Sequence, residues 1–183
     1  MNAIRTHAAL LLASSLVLSA CGEKSETTDT STAASTVSSD WATDACKVFP
    51  AADATMSSGI AIASATTSDA GNANQTNISQ CTYATADGKP AFTIMLRHDL
   101  SGTLTSDMQM KGLTAAPDMT GPTEEVVMAK GKAIWTGQLK TLSYVPDDAR
   151  MIIVSLANQS ASEPNAEQGL KQQAIGIANA IER

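Results

Sequence analysis

Residues 91–98, "AFTIMLRH", constrain the fold more than any other stretch, because Phe92, Ile94 and Leu96 alternate with Thr93, Met95 and Arg97. A period of two places the first three side chains on one face of a β-strand, and that apolar face must be covered. "CTYAT" before it, with the turn residues "ADGK" between, completes a hairpin with one buried face. "EEVVMA", "KAIWTG", "LKTLSYV" and "RMIIVSLA" follow, punctuated by glycine and by "PDDA", and read as an antiparallel meander. The cover comes from the other end of the chain. Leu170, Ala174, Ile177, Ala178 and Ile181 form one stripe of a 3.6-period helix, predicted to start near Ser162 and Pro164 and to lie on the sheet. "SDWATDACKVF" and "PAADATMSSG" are predicted as two short helices, Ser39 or Asp40 capping the first, Pro50 opening the second and Gly59 ending it. A short helix is expected around "SDMQMKG", ending at Gly112, whereas "TTSDAGNANQTNISQ" and "LTAAPDMTGPT" lack a period and are expected to be loops. The result is an α+β fold, a twisted antiparallel sheet packed against N-terminal helices and a C-terminal amphipathic helix, occupying residues 40–183 as one domain.

The first forty residues have a different character. A polar start carrying Arg5 is followed by an apolar stretch from Ala8 to Val17 and then by small residues. That stretch is too short to span a bilayer and reads as the core of a signal peptide. Its end, Leu18, Ser19, Ala20 and Cys21, resembles the lipobox of bacterial lipoproteins, which implies cleavage before Cys21 and acylation of its thiol and of the new amino terminus. Residues 1–20 are then a lipoprotein signal peptide and Cys21 a lipid anchor. Residues 21–39, "CGEKSETTDTSTAASTVSS", are Ser/Thr-rich with little to bury, so they are expected to be a flexible tether with a reach of roughly 25 Å. Gly22, where an aspartate would retain such a protein at the inner membrane, resembles the sorting pattern of Gram-negative outer-membrane lipoproteins. The expected address is the outer membrane, facing the periplasm.

Of three cysteines, Cys21 is taken by lipid and Cys46 and Cys81 remain. In an oxidising compartment a remaining pair reads as a disulfide. Such a bridge stabilises by on the order of 3 to 4 kcal/mol in the loop-entropy model. A zinc site is the alternative, but the mature chain offers only His98 beside the two thiols, without a recognisable ligand spacing. Cleavage leaves 11 basic against 18 acidic residues, a balance of −7. An acidic domain without a Lys/Arg cluster argues against nucleic acid as a partner and against electrostatic docking on anionic lipid, so the anchor is the expected membrane contact.

The order "CKVFPAADATMSSG", polar loop, "CTYATADGKPAFTIML", helical insert, "GKAIWTGQLKTLSY", "MIIVSLA" and terminal "QAIGIANAI" resembles small bacterial lipoproteins best known from actinobacteria, in which a domain of unknown function follows a lipobox. Related domains occur as extracellular sensors of mycobacterial serine/threonine kinases. The resemblance spans about residues 44–183 and implies that Cys46 and Cys81 pair and that Trp135 marks a characteristic strand. The chain departs from the pattern in lacking Pro-Gly before that strand and in preferring lysine to arginine. The family implies an α+β domain and supplies no reaction.

Catalytic signatures are missing: there is no G-x-S-x-G, H-E-x-x-H, phosphate-binding glycine loop or EF-hand pattern. His98 beside Asp99 has no nominated nucleophile and is expected at the surface. Glu124 with Glu125 are strand neighbours and point to opposite faces, and Asp147 with Asp148 sit in a turn and are expected to meet water. The chain is therefore read as non-enzymatic, with no cofactor and no metal. Two functional classes follow. One is a periplasmic binding or accessory module for a small apolar ligand or an envelope protein, with Tyr83, Trp135, Tyr144 and the methionines as cleft wall. The other is an immunity or inhibitor lipoprotein that blocks a cationic cell-wall hydrolase or toxin through acidic loops such as 66–80. The first predicts an apolar pocket and the second a protruding loop.

Overall fold

A computed structural model describes residues 41–73, 75–115, 117–160 and 166–183, all within one compact unit, Val37–Arg183. Residues 1–20, expected as a signal peptide, Cys21 and the expected tether to residue 39 lie outside the described residues, as do Asp40, Ser162 and Pro164.

The chain opens with α1 (Ala45–Val48) and α2 (Ala51–Ser58). Asp44 caps α1, its carboxylate accepting from the Lys47 amide and from the Thr67 hydroxyl. Pro50 stands at the start of α2 as predicted, and Gly59 ends it in the left-handed conformation that glycine adopts without steric cost. Next come β1 (Ser64–Ala73), β2 (Thr76–Ala84) and β3 (Pro90–Asp99). The polar run 66–80, expected as a loop, instead supplies most of β1, through Ala73, and the start of β2, from Thr76. Period-two patterning records side-chain burial, whereas β1 is an edge strand held by its backbone ladder to β2, with a bulge between Asp69 and Gly71.

After α3 (Ser106–Thr114) and the short α4 (Pro117–Thr120) run β4 (Thr123–Val126), β5 (Lys132–Thr136), β6 (Thr141–Val145) and β7 (Arg150–Ser155). Helix α3 runs through Gly112 to Thr114, and α4 forms inside the expected loop with proline in its first turn, where a missing N–H costs nothing. The sheet order is β1-β2-β3-β7-β6-β5-β4 and every neighbouring pair is antiparallel. The N-terminal hairpins and the C-terminal meander thus join at the β3–β7 ladder, from Thr93↔Ser155 to His98↔Arg150.

The inner face carries Cys81, Tyr83, Phe92, Ile94, Leu96, Leu142, Tyr144, Ile152 and Val154, all essentially without solvent exposure. Helix α5 (Ala166–Ile181) covers it with the predicted stripe, Leu170, Ala174, Ile177, Ala178 and Ile181, each buried. Its other neighbour is α2, where the Gln173 amide donates to the Ser58 carbonyl at 2.6 Å. Cys46 on α1 is bonded to Cys81 on β2, with Cα atoms 5.1 Å apart, inside the geometric limit of about 7 Å for such a bridge. The architecture is α+β with one disulfide. Among the described residues, no helix is long and apolar enough to cross a membrane.

Candidate functional site

All six aromatic residues are core: Trp41, Phe49, Tyr83, Phe92, Trp135 and Tyr144 are at most 8% exposed. The side chains proposed as a cleft wall are therefore core instead. Tyr83 stacks on Phe92 at 4.6 Å, meets Phe49 edge-on at 5.9 Å, and donates its hydroxyl to the Phe49 carbonyl at 2.5 Å. Burial pushes its phenol well above the ordinary range, and burial likewise raises Tyr144. Trp135, 1% exposed, donates its indole N–H to Glu167 at 3.3 Å. It also borders a cleft of about 300 Å³ in which Glu124 is engaged by Lys171. A chain with so few aromatics needs each of them for its interior.

Of the titratable residues flagged by sequence, Asp99, Glu124, Asp147 and Asp148 are likewise in use. His98 is half-buried instead of at the surface: its ring meets Trp41 edge-on at 6.1 Å, and its Nδ1 is buried without a hydrogen-bond partner among the described residues. Asp99 serves its own turn. Burial raises its carboxyl, but the Ser101 hydroxyl and the amides of Leu104, Ser101 and Gly102 outweigh this and hold it below the usual carboxylate range. Asp147 binds the Arg150 guanidinium at 2.6 Å, and Arg150 also reaches Glu182 at 3.1 Å and stacks over Trp41 at 5.4 Å. This network clasps the domain's first residues to β7 and to the end of α5. Among the described residues, no three His, Cys, Asp or Glu side chains converge as a metal site.

An apolar opening lies on the other side of the sheet. Because Leu96, Ile152 and Val154 point inward, alternation turns Arg97, Met151 and Ile153 outward, beside Ile78 of β2, the register partner of Arg97. Helix α3 crosses this outer face without closing on it. Its only buried residue is Gln109. Polar contacts hold it: Asp148, in the turn before β7, accepts from the Ser106 amide and hydroxyl at 2.7 Å each, and Gln109 donates to the Asp148 carbonyl at 2.9 Å. Asp107 adds an ion pair with Lys132. The Ser106 donors, backbone first, hold the Asp148 carboxyl below the usual range, so both turn aspartates have protein partners and not water alone.

Between α3 and the sheet remains a groove of about 440 Å³, walled by Ile78, Leu104, Met108, Leu113, Met151 and Ile153, with Arg97 and Gly112 also at its lining. A side chain at Gly112 would meet open space. The sequence carried one signal for this groove: "MIIV" is apolar at consecutive positions, so β7 has two apolar faces and its outer one also needs a cover. The methionines named as wall material are represented by Met108 and Met151. Comparison of the chain with protein-family models, curated proteins and solved structures finds no match.

Proposed function

We propose that this chain is a lipid-anchored, non-enzymatic module of the cell envelope that holds a small apolar ligand in the groove beneath α3. The observation that carries the proposal is that groove: at about 440 Å³ it falls in the range of small-molecule sites, about 300–1,000 Å³, and its walls are mainly aliphatic and methionine side chains. The lipobox-like Leu18–Cys21 supports attachment through Cys21 at the outer membrane, facing the periplasm. The inhibitor reading drew on the acidic balance, the tether and residues 66–80 as a protruding loop, and of these the loop is the feature the fold bears on. Residues 66–73 and 76–80 are strand, and between them the Gln75 carbonyl accepts from the Leu100 amide at 2.7 Å.

Gly112→Leu tests the groove. It adds a side chain where there is room and improves helix propensity by roughly 0.5 to 1 kcal/mol, so α3 should stay folded while the groove fills. The purified chain is expected to enhance the fluorescence of the uncharged probe N-phenyl-1-naphthylamine, and the variant to lose that enhancement at an undiminished melting temperature. Equal enhancement by both proteins would place the ligand elsewhere. Cys21→Ser tests the anchor in a Gram-negative host: palmitate label and membrane association should both disappear, and a labelled, membrane-bound variant contradicts the lipid attachment.

A further inference from the structure

We infer that the groove selects a single-chain amphiphile with a carboxylate head, the chain lying under α3 and the carboxylate bound by Arg97; this rests on the groove being the ligand site. Among the described residues, Arg97 is the one cation both half-buried and without a polar partner: Lys140 donates to the Gln159 carbonyl, and Lys111 and Arg183 are exposed. Lys47, Lys89, Lys130, Lys132, Arg150 and Lys171 each pair with a carboxylate, in a chain whose acidic residues outnumber its basic ones by six. Arg97 is half-buried at the groove between Ile78 and Met151 and has no hydrogen-bond or ion-pair partner among the described residues. An unpartnered guanidinium beside an apolar groove is free to take up an anion that arrives with the ligand.

Its chemistry narrows that anion. The guanidinium is a planar fork of donors that matches a carboxylate in bidentate fashion, while the aliphatic stem of Arg97 can lie along the apolar wall. One cation balances one negative charge. A phosphate monoester carries about −1.5 to −2 at neutral pH, which Arg97 alone leaves uncompensated. The size of the groove, toward the lower end for small-molecule sites, suits one acyl chain better than two.

The test uses the full chain loaded with N-phenyl-1-naphthylamine and challenged, below their micellar concentrations, with laurate, dodecanol, dodecylamine and dodecyl phosphate, which share a chain length and differ in head. Laurate should displace the probe at concentrations roughly tenfold or more below dodecanol, the increment expected of a charge-assisted bidentate pair, with dodecylamine weakest. Arg97→Gln should collapse the laurate-to-dodecanol ratio toward one, and Arg97→Lys, which keeps the charge without the fork, should leave an intermediate ratio. Equal competition by laurate and dodecanol on the unsubstituted protein, or a preference that survives Arg97→Gln, overturns the role of Arg97 while leaving the groove as a neutral apolar site. Dodecyl phosphate outcompeting laurate overturns the carboxylate assignment. Probe fluorescence indifferent to Gly112→Leu removes the groove itself, and this proposal with it.

Discussion

Helices α3 and α5 pack against opposite faces of the same sheet and are held there by different forces. Five side chains of α5 are buried in a continuous apolar stripe, with the cleft of about 300 Å³ beside Trp135 and Glu167 lying at the helix's first turn. Helix α3 buries only Gln109 and is pinned mainly at its first turn, where Ser106 and Gln109 are tied to Asp148 and Asp107 to Lys132. Apolar adhesion acts over area and draws surfaces together, whereas a few directional bonds fix one end of a helix and let the remainder stand off. The face held by apolar adhesion therefore supports the fold, and the face spanned by a pinned helix keeps an apolar groove.

The contrast breaks most visibly at Ile177. Fully buried at the centre of the α5 stripe, it should cost about 2 to 5 kcal/mol when truncated to alanine, read as a lower denaturant midpoint with an unchanged slope. A loss under 0.5 kcal/mol would mean that α5 is not the adhesive element described. A smaller and local effect is expected at Asp148. Its folded carboxyl lies below its unfolded value of about 3.9, so the stabilising contribution is complete above that pH and is lost as pH falls through the depressed folded value. Amide exchange within Ser106–Thr114 should accordingly quicken below about pH 4 relative to exchange in α5, once corrected for intrinsic rates. Asp148→Ala should produce the same relative quickening at neutral pH. Identical behaviour of the two helices would show that α3 is held by something other than its polar pins. The smallest effect belongs to Gln172→Ala on the exposed side of α5, expected within about 0.5 kcal/mol of the unsubstituted protein in the same denaturation experiment.

What was legible in the sequence divides along similar lines. The α5 stripe appears residue for residue as predicted, and so do the β2–β3 hairpin, the meander and the Cys46–Cys81 pair, because each leaves a local periodic or compositional mark. Strand β1 left none, since an edge strand such as "SATTSDAGNA" is specified by backbone hydrogen bonds to its neighbour, which any residue but proline can make. Val127 shows the converse: "EEVVMA" reads as one strand, yet pairing stops at Val126 and Val127 is 97% exposed. The groove was hardest to foresee. Its walls are single apolar residues from elements far apart in the chain, Ile78, Leu104, Leu113 and Met151, which only the tertiary arrangement brings together. Aromatic residues drew attention as cleft wall because large rings often line ligand sites, and here the interior claims them all.

The bond between Cys46 and Cys81 also decides how the domain would bear a pull. Tension entering at the amino end passes Trp41, reaches Cys46 and crosses directly to β2, which lies between β1 and β3 in the sheet. Helices α1 and α2 beyond Cys46, together with β1, sit in the covalent loop outside the line of force. Stretched from its two ends, the oxidised protein should extend less than the reduced one by the length of the bypassed segment, 35 residues or roughly 120 Å of chain.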